Sequence, residues 1–165
     1  MKTITGPESS QVYENIFPAE AWELISGNQD NDELVILDVS TPDEYQDLHL
    51  EGAINISLLS RLFKARLDIM DRDKTYVIYC KVGVRSKVAM KIMKALGFKT
   101  VYNITGGTLL WEEEKLPLAK GTSGVNKLDL CPFLIFTLAS RKARKALEKI
   151  FHRPNQPLRK GHDLG

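Results

Sequence analysis

Cysteine is scarce in this chain: there are two, Cys80 and Cys131, among 165 residues. Two thiols cannot build a disulfide framework, and such sparing use suits a reducing compartment. Long apolar runs are also missing. The longest, Leu130 to Ala139, is about half the length a membrane-spanning helix needs, and Pro132 interrupts it. The first residues, MKTITGPESSQ, hold no apolar segment of the kind a secretory signal uses, so a cytoplasmic location is expected. Eleven glycines and seven prolines are too few for a fibrous or low-complexity chain. Of the three histidines, His152 and His162 lack ligand spacing, and Gly106-Gly107 lacks the rest of a nucleotide fingerprint. Neither a metal nor an organic cofactor is expected. No nucleic-acid module or run of base-stacking aromatics is present, so nucleic acid is not an expected partner.

What is present is an apolar fraction of 43%, enough for one globular domain with residues to spare. The net charge of +2 conceals an asymmetry. Residues 1–120 carry 14 basic and 18 acidic side chains, whereas residues 121–165 carry 9 and 3. The chain therefore reads as an acidic domain over 1–120 followed by a basic extension over 121–165.

Four runs are apolar without alternation: Leu34 to Val39, Ala53 to Ile56, Thr75 to Cys80 and Thr100 to Asn103. That pattern suits strands buried on both faces of a parallel sheet. Val12 to Ile16 is a candidate fifth strand. Helices are expected over Pro18 to Ser26, where Pro stands at a first helical position, and after Thr41, whose hydroxyl precedes Pro42, Asp43 and Glu44. The longest lies over Ser86 to Leu96, with Val88, Ala89, Ile92, Met93 and Leu96 on its apolar face and Gly97 past its end. Alternating strands and helices predict an α/β fold: an open, mostly parallel sheet of about five strands with helices on both faces.

Past Pro117 the sequence changes. Leu118 to Lys127 reads as a linker, Phe133 to Phe151 as a basic amphipathic helix containing the run RKARK, with residues 133–153 as the surface offered to a partner, and the final RPNQPLRKGHDLG as disordered. The apolar face of that helix needs a surface. The acidic domain, an acidic protein and an anionic membrane would each supply one, and the opposite charges favour the domain. Cys131, just ahead of Pro132, is open to two readings: a packed apolar cysteine or a second sulfur-accepting thiol.

Cys80 closes a buried strand and is followed by Lys81-Val82-Gly83-Val84-Arg85, with Ser86 opening the helix. A thiol at the positive end of a helix, beside two cations and a ring of loop N–H groups, is expected to ionise readily. Gly83 lets the loop curl closely around its own first residue. Such an anion cradle with a nucleophile at its floor can attack sulfur and carry a persulfide, or attack phosphorus or arsenic. Four residues between cysteine and arginine make a tighter ring than the five usual for a tetrahedral oxyanion, leaving room for one extra sulfur atom stabilised by the N–H groups.

The segments LVILDVSTPDEYQDLHLEGAINISL (34–58), YVIYCKVGVRSKVAMKIMKALGF (76–98) and VYNITGGTLLWEEEKLP (101–117) together resemble a single rhodanese domain. The resemblance covers about 110 residues. It implies a sulfurtransferase in which Cys80 bears the persulfide and Lys81 to Ser86 form the substrate cradle. Arg85, with Lys81, would hold a small anionic sulfur donor such as thiosulfate. A thiol, cyanide or a protein would then accept the sulfur in a ping-pong cycle. A non-catalytic binding or sulfur-carrier module that recruits partners through its basic extension is the alternative.

Departures from the family pattern are also legible. Ser40 follows Leu37-Asp38-Val39 where many relatives have arginine, and Val82 and Val84 make the loop unusually apolar. Asp38 is read as a supporting residue that bonds loop N–H groups or the loop arginine. His49 is expected to fix the His-x-x-Gly-Ala turn, Gly106 and Gly107 to bring a helix beside the cysteine loop, and Trp111 to sit in the core.

Overall fold

Apolar runs become parallel strands where both of their faces are covered. Five do so in the computed structural model, which describes residues 11–29 and 31–121. The strands are β1 (Val12–Ile16), β2 (Leu34–Asp38), β3 (Ile54–Asn55), β4 (Thr75–Tyr79) and β5 (Thr100–Ile104). The helices among the described residues are α1 (Pro18–Ser26), α2 (Pro42–Asp47), α3 (Phe63–Asp68), α4 (Val84–Ala95) and α5 (Gly107–Glu113). The strand order is β1-β5-β4-β2-β3, and every pairing is parallel. This is the expected α/β architecture. The candidate strand at Val12 forms an edge, which explains why VYENI alone among the strands carries polar residues on its exposed positions.

Alternation along the strands assigns the two layers. Val35, Leu37, Tyr76 and Ile78 face Phe63 and Leu67 of α3 and Ala89 and Met93 of α4. Ile36, Val77, Tyr79 and Ile104 face Ala21 and Ile25 of α1, Tyr45 of α2 and Trp111 of α5. Cys80 continues the first of these faces and is fully buried.

Local chemistry sets the helix ends. The Thr41 hydroxyl accepts from the Glu44 N–H at 3.3 Å while the Glu44 carboxylate accepts from the Thr41 N–H at 3.0 Å, a reciprocal cap that starts α2 where expected. The start of α4 differs. It begins at Val84 rather than Ser86, because Gly83, at φ +83°, is its left-handed N-cap. Arg85 is thus a residue of the first helical turn rather than of the loop. The buried line of α4 is Ser86, Ala89 and Met93; Val88, expected inward, lies about 100° round from Ala89 and is 46% exposed. Gly97 takes the expected left-handed conformation after the helix.

Helix α3 has no counterpart in the sequence reading: it is six residues long and Leu62 offers no capping side chain. No helix among the described residues is long and apolar enough to cross a membrane. The linker beyond Gly121, the basic helix placed at 133–153, Cys131, His152 and His162 lie outside the described residues.

Candidate active site

Parallel α/β sheets place their ligand loops at the carboxyl ends of the strands, where they feed helix N-termini. Cys80 stands there, one residue beyond β4, and the chain folds back over its sulfur. Sγ accepts from the Gly83 N–H at 3.1 Å and lies 3.5 Å from the Ser86 hydroxyl, which is itself fully buried. Burial pushes the thiol pKa up. Hydrogen bonds from the Ser86 hydroxyl and N–H, and from the Val82 and Gly83 N–H groups, pull it down further, and the net value is below that of an ordinary cysteine. Loop and helix amides thus surround the sulfur and favour its ionised form.

A second helix secures the loop from behind. The Thr108 N–H donates to the Cys80 carbonyl at 3.0 Å and the Leu109 N–H to the Lys81 carbonyl at 3.1 Å, so the start of α5 carries the backbone under the nucleophile. Gly107 permits this approach: a Cβ there would stand 1.9 Å from the Cys80 carbonyl oxygen. The expected turn at Gly106-Gly107 beside the cysteine loop therefore forms, and Trp111 of the same helix is buried in the core with its indole N–H on the Pro117 carbonyl at 2.9 Å.

Arg85 has a carboxylate partner. Its Nη1 and Nη2 donate to Glu44 Oε2 and Oε1 at 2.6 and 2.8 Å, a bidentate pair. The Arg85 bond is the chief reason that the Glu44 carboxyl is held down to about 2; burial opposes it, and the Thr41 N–H and hydroxyl reinforce it. Arg85 is thus engaged by Glu44, and the bonds that draw down the Cys80 pKa come from backbone amides and Ser86. Glu44 is the site residue the sequence reading missed as such. Its signal was the Thr-Pro-Asp-Glu cap, read there only as a helix start.

Asp38 ends β2 and is 1% exposed. Its Oδ1 accepts from the Ser40 N–H at 2.6 Å, the loop bond expected of it, while its Oδ2, beside the Tyr79 hydroxyl, meets no well-aligned donor among the described residues. It does not hold Arg85. Burial pushes the carboxyl up to about 6, against the opposing hydrogen bonds from Ser40 and the Tyr79 hydroxyl. Asn55 braces the same strand end, its amide donating to the Asp38 and Ser40 carbonyls at 3.2 and 3.1 Å. His49 holds its turn as expected. Its Nδ1 donates to the Tyr45 carbonyl at 2.7 Å, its ring stacks on Tyr45, and its backbone pairs with Ala119.

The structure thus brings Cys80, Gly83 and Ser86 together, with the Val82 amide completing the ring. The Lys81, Val82 and Val84 side chains point outward and form the exposed rim, while Arg85 and Asp38 lie apart in separate bonds. Among the described residues no group of three or more His, Cys, Asp or Glu side chains is arranged to hold a metal ion.

Comparison with known proteins identifies the family. The chain is 30% identical over 101 residues to the thiosulfate sulfurtransferase GlpE of Coxiella burnetii, covering 61% of this chain and 89% of that protein. It is 33% identical over 87 residues to the putative sulfurtransferase YtwF of Bacillus subtilis, covering 53% and 82%. The crystal structure of a rhodanese-related protein from Thermoplasma volcanium superposes with a TM-score of 0.54 at 29% identity, covering 65% of this chain and 98% of that one. The sequence profile of the rhodanese-like domain matches residues 18–114, more than half the chain. The chain belongs to the rhodanese-like domain family.

Proposed function

We propose that this protein is a sulfurtransferase that carries sulfane sulfur as a persulfide on Cys80. The observation that supports it most is the sulfur's setting: a fully buried Sγ at a helix N-terminus, bonded by the Gly83 N–H and the Ser86 hydroxyl, which draw its pKa below that of an ordinary cysteine. In the first half-reaction the Cys80 thiolate attacks the outer sulfur of thiosulfate or of a persulfide, and sulfite or a thiolate leaves with the bonding pair. The amides around Sγ then stabilise the negative charge of the persulfide. In the second half-reaction cyanide, a thiol or a protein thiolate attacks the outer sulfur, and the low pKa of Cys80 makes it a good leaving group. The anionic donor meets backbone N–H groups and Lys81, since Arg85 is held by Glu44.

Mass measurement under non-reducing conditions tests this. Incubation with thiosulfate is expected to add one sulfur to the wild type and none to Cys80→Ser, with cyanide removing it as thiocyanate. Failure of the wild type to load from thiosulfate or a persulfide donor overturns the proposal. Loading without turnover leaves a sulfur carrier in place of an enzyme.

A further inference from the structure

Among the described residues, six of the eight exposed large apolar side chains, all but Ile69 and Val88, lie just past the carboxyl ends of the strands, the end of the sheet where Cys80 lies. Phe17 follows β1, Leu59 and Leu62 follow β3, Val82 and Val84 follow β4, and Leu109 follows β5; each is about half exposed or more, and Leu59 reaches 71%. The Leu58 N–H on the Val39 carbonyl and the Leu109 N–H on the Lys81 carbonyl, both at 3.1 Å, fix two of these segments against the strand ends that flank the cysteine. An apolar rim around a nucleophile whose neighbouring Arg85 is paired with Glu44 suits an apolar peptide carrying a thiol better than a small hydrophilic acceptor.

The chain itself supplies such a peptide. The last described residue, Gly121, donates its N–H to the Gln46 carbonyl at 2.7 Å. Gln46 lies in α2, two residues from the Glu44 that holds Arg85, so the chain departs beside the site. Ten residues on comes Cys131, within Leu130-Cys131-Pro132-Phe133-Leu134-Ile135-Phe136, the most apolar stretch of the sequence. Ten residues reach at most about 35 Å, which exceeds the roughly 30 Å width of a small domain. Charge agrees as well, since the basic residues after Phe136 would lie near the exposed Asp43 and Asp47 of α2.

We infer that the apolar rim around Cys80 receives the chain's own Leu130 to Phe136 segment and that Cys131 is the first acceptor of the sulfur carried by Cys80. This rests on the persulfide reading above. The Cys131 thiolate, its proton released to water, attacks the outer sulfur of the Cys80 persulfide. The S–S bond breaks toward Cys80, which leaves as thiolate, and Cys131 becomes the persulfide. No oxidant or reductant is consumed. Sγ of Cys80 is fully buried, so an incoming thiolate meets the outer sulfur first, which favours sulfur transfer over disulfide formation with loss of hydrosulfide.

Mapping sulfur on the full chain tests the inference. The protein is loaded with one equivalent of glutathione persulfide, quenched with an alkylating agent and digested, and the sulfur is located by peptide mass. In the wild type the Cys131 peptide is expected to carry it; in Cys80→Ser that peptide stays unlabelled, and in Cys131→Ser the label stays on Cys80. When loaded Cys131→Ser is mixed with Cys80→Ser at about 10 μM, transfer should be about 100-fold slower than within one chain, for a millimolar effective concentration. Leu59→Asp should slow transfer about tenfold without changing the loading of Cys80. Cys80 loading while Cys131 stays bare, equal labelling of Cys131 without Cys80, equal rates in the mixture, or an unaffected Leu59→Asp would each overturn the inference alone. Failure of Cys80 to load would overturn the sulfurtransferase reading and this one together.

Discussion

Replacing Asp38 with asparagine should make the protein more stable at neutral pH, although it removes a buried, hydrogen-bonded carboxylate. The side chain is 1% exposed, its Oδ1 is satisfied by the Ser40 N–H, and its Oδ2 meets no well-aligned donor among the described residues. Burial raises its pKa from an ordinary 3.8 to about 6. The folded state therefore binds the proton more tightly than the unfolded chain, and stability is lost as pH rises through that window. A rise of about two units at about 1.36 kcal/mol each gives a cost of about 3 kcal/mol once both states are ionised. Asparagine keeps an oxygen for the Ser40 N–H and places an amide where the bare carboxylate oxygen stood, beside the Tyr79 hydroxyl that already accepts from the Leu50 N–H. Urea unfolding of wild type and Asp38→Asn every half unit from pH 4 to pH 8 measures the effect. The two should be nearly equal near pH 4, and the variant should gain about 2–3 kcal/mol by pH 7. A difference that stays flat with pH, or a variant that loses stability at pH 7, would refute the reasoning.

Glu44→Gln removes the charge facing Arg85 but keeps a cap for α2. Because the pair is about one quarter exposed, the loss should be about 1–2 kcal/mol at pH 7. It should vanish as acid protonates Glu44 near pH 2, and the freed guanidinium should lower KM for thiosulfate. Alkylation of Cys80 should reach half its maximal rate below the ordinary cysteine value of about 8.5, and Ser86→Ala should move that midpoint upward. Gly107→Ala should cost at least about 3 kcal/mol in thermal or chemical unfolding, since its Cβ meets the Cys80 carbonyl at 1.9 Å and its φ is +60°.

Most of the sheet was legible because a strand covered on both faces has to be apolar throughout, and LVILDV and TYVIYC have few other uses. Glycine positions were legible for a similar reason: Gly83, Gly97 and Gly106 adopt the left-handed backbone that punctuates helices. The ends of α4 were less so, since the N-cap at Gly83 uses backbone conformation rather than a side-chain oxygen, and Ser86 looked like the better cap. The partner of Arg85 was hidden by distance along the chain. Glu44 lies 41 residues away, and its local role in the α2 cap gave a sufficient account of it. Asp38 shows the same limit. Its residue type suggested bonds to the loop or to the arginine, but only packing decides that Ser40 takes one oxygen and that the other lies beside the Tyr79 hydroxyl.

The commitment of Arg85 to Glu44 changes how the loop divides its labour. If side-chain cations made the sulfur reactive, residues 81–85 would be bound to stay charged, and salt would weaken the site. Here the donors closest to Sγ are the Gly83 amide and the Ser86 hydroxyl, fixed by the N-terminus of α4 and braced by the bonds from α5 to the Cys80 and Lys81 carbonyls. Backbone dipoles at these distances are screened little by ions, so thiolate formation should change little between low and high salt. The outward side chains at 82 and 84 then lie outside the ring that activates the sulfur. Their identity is free to answer a different demand, the choice of what approaches it, and two valines there answer with an apolar surface.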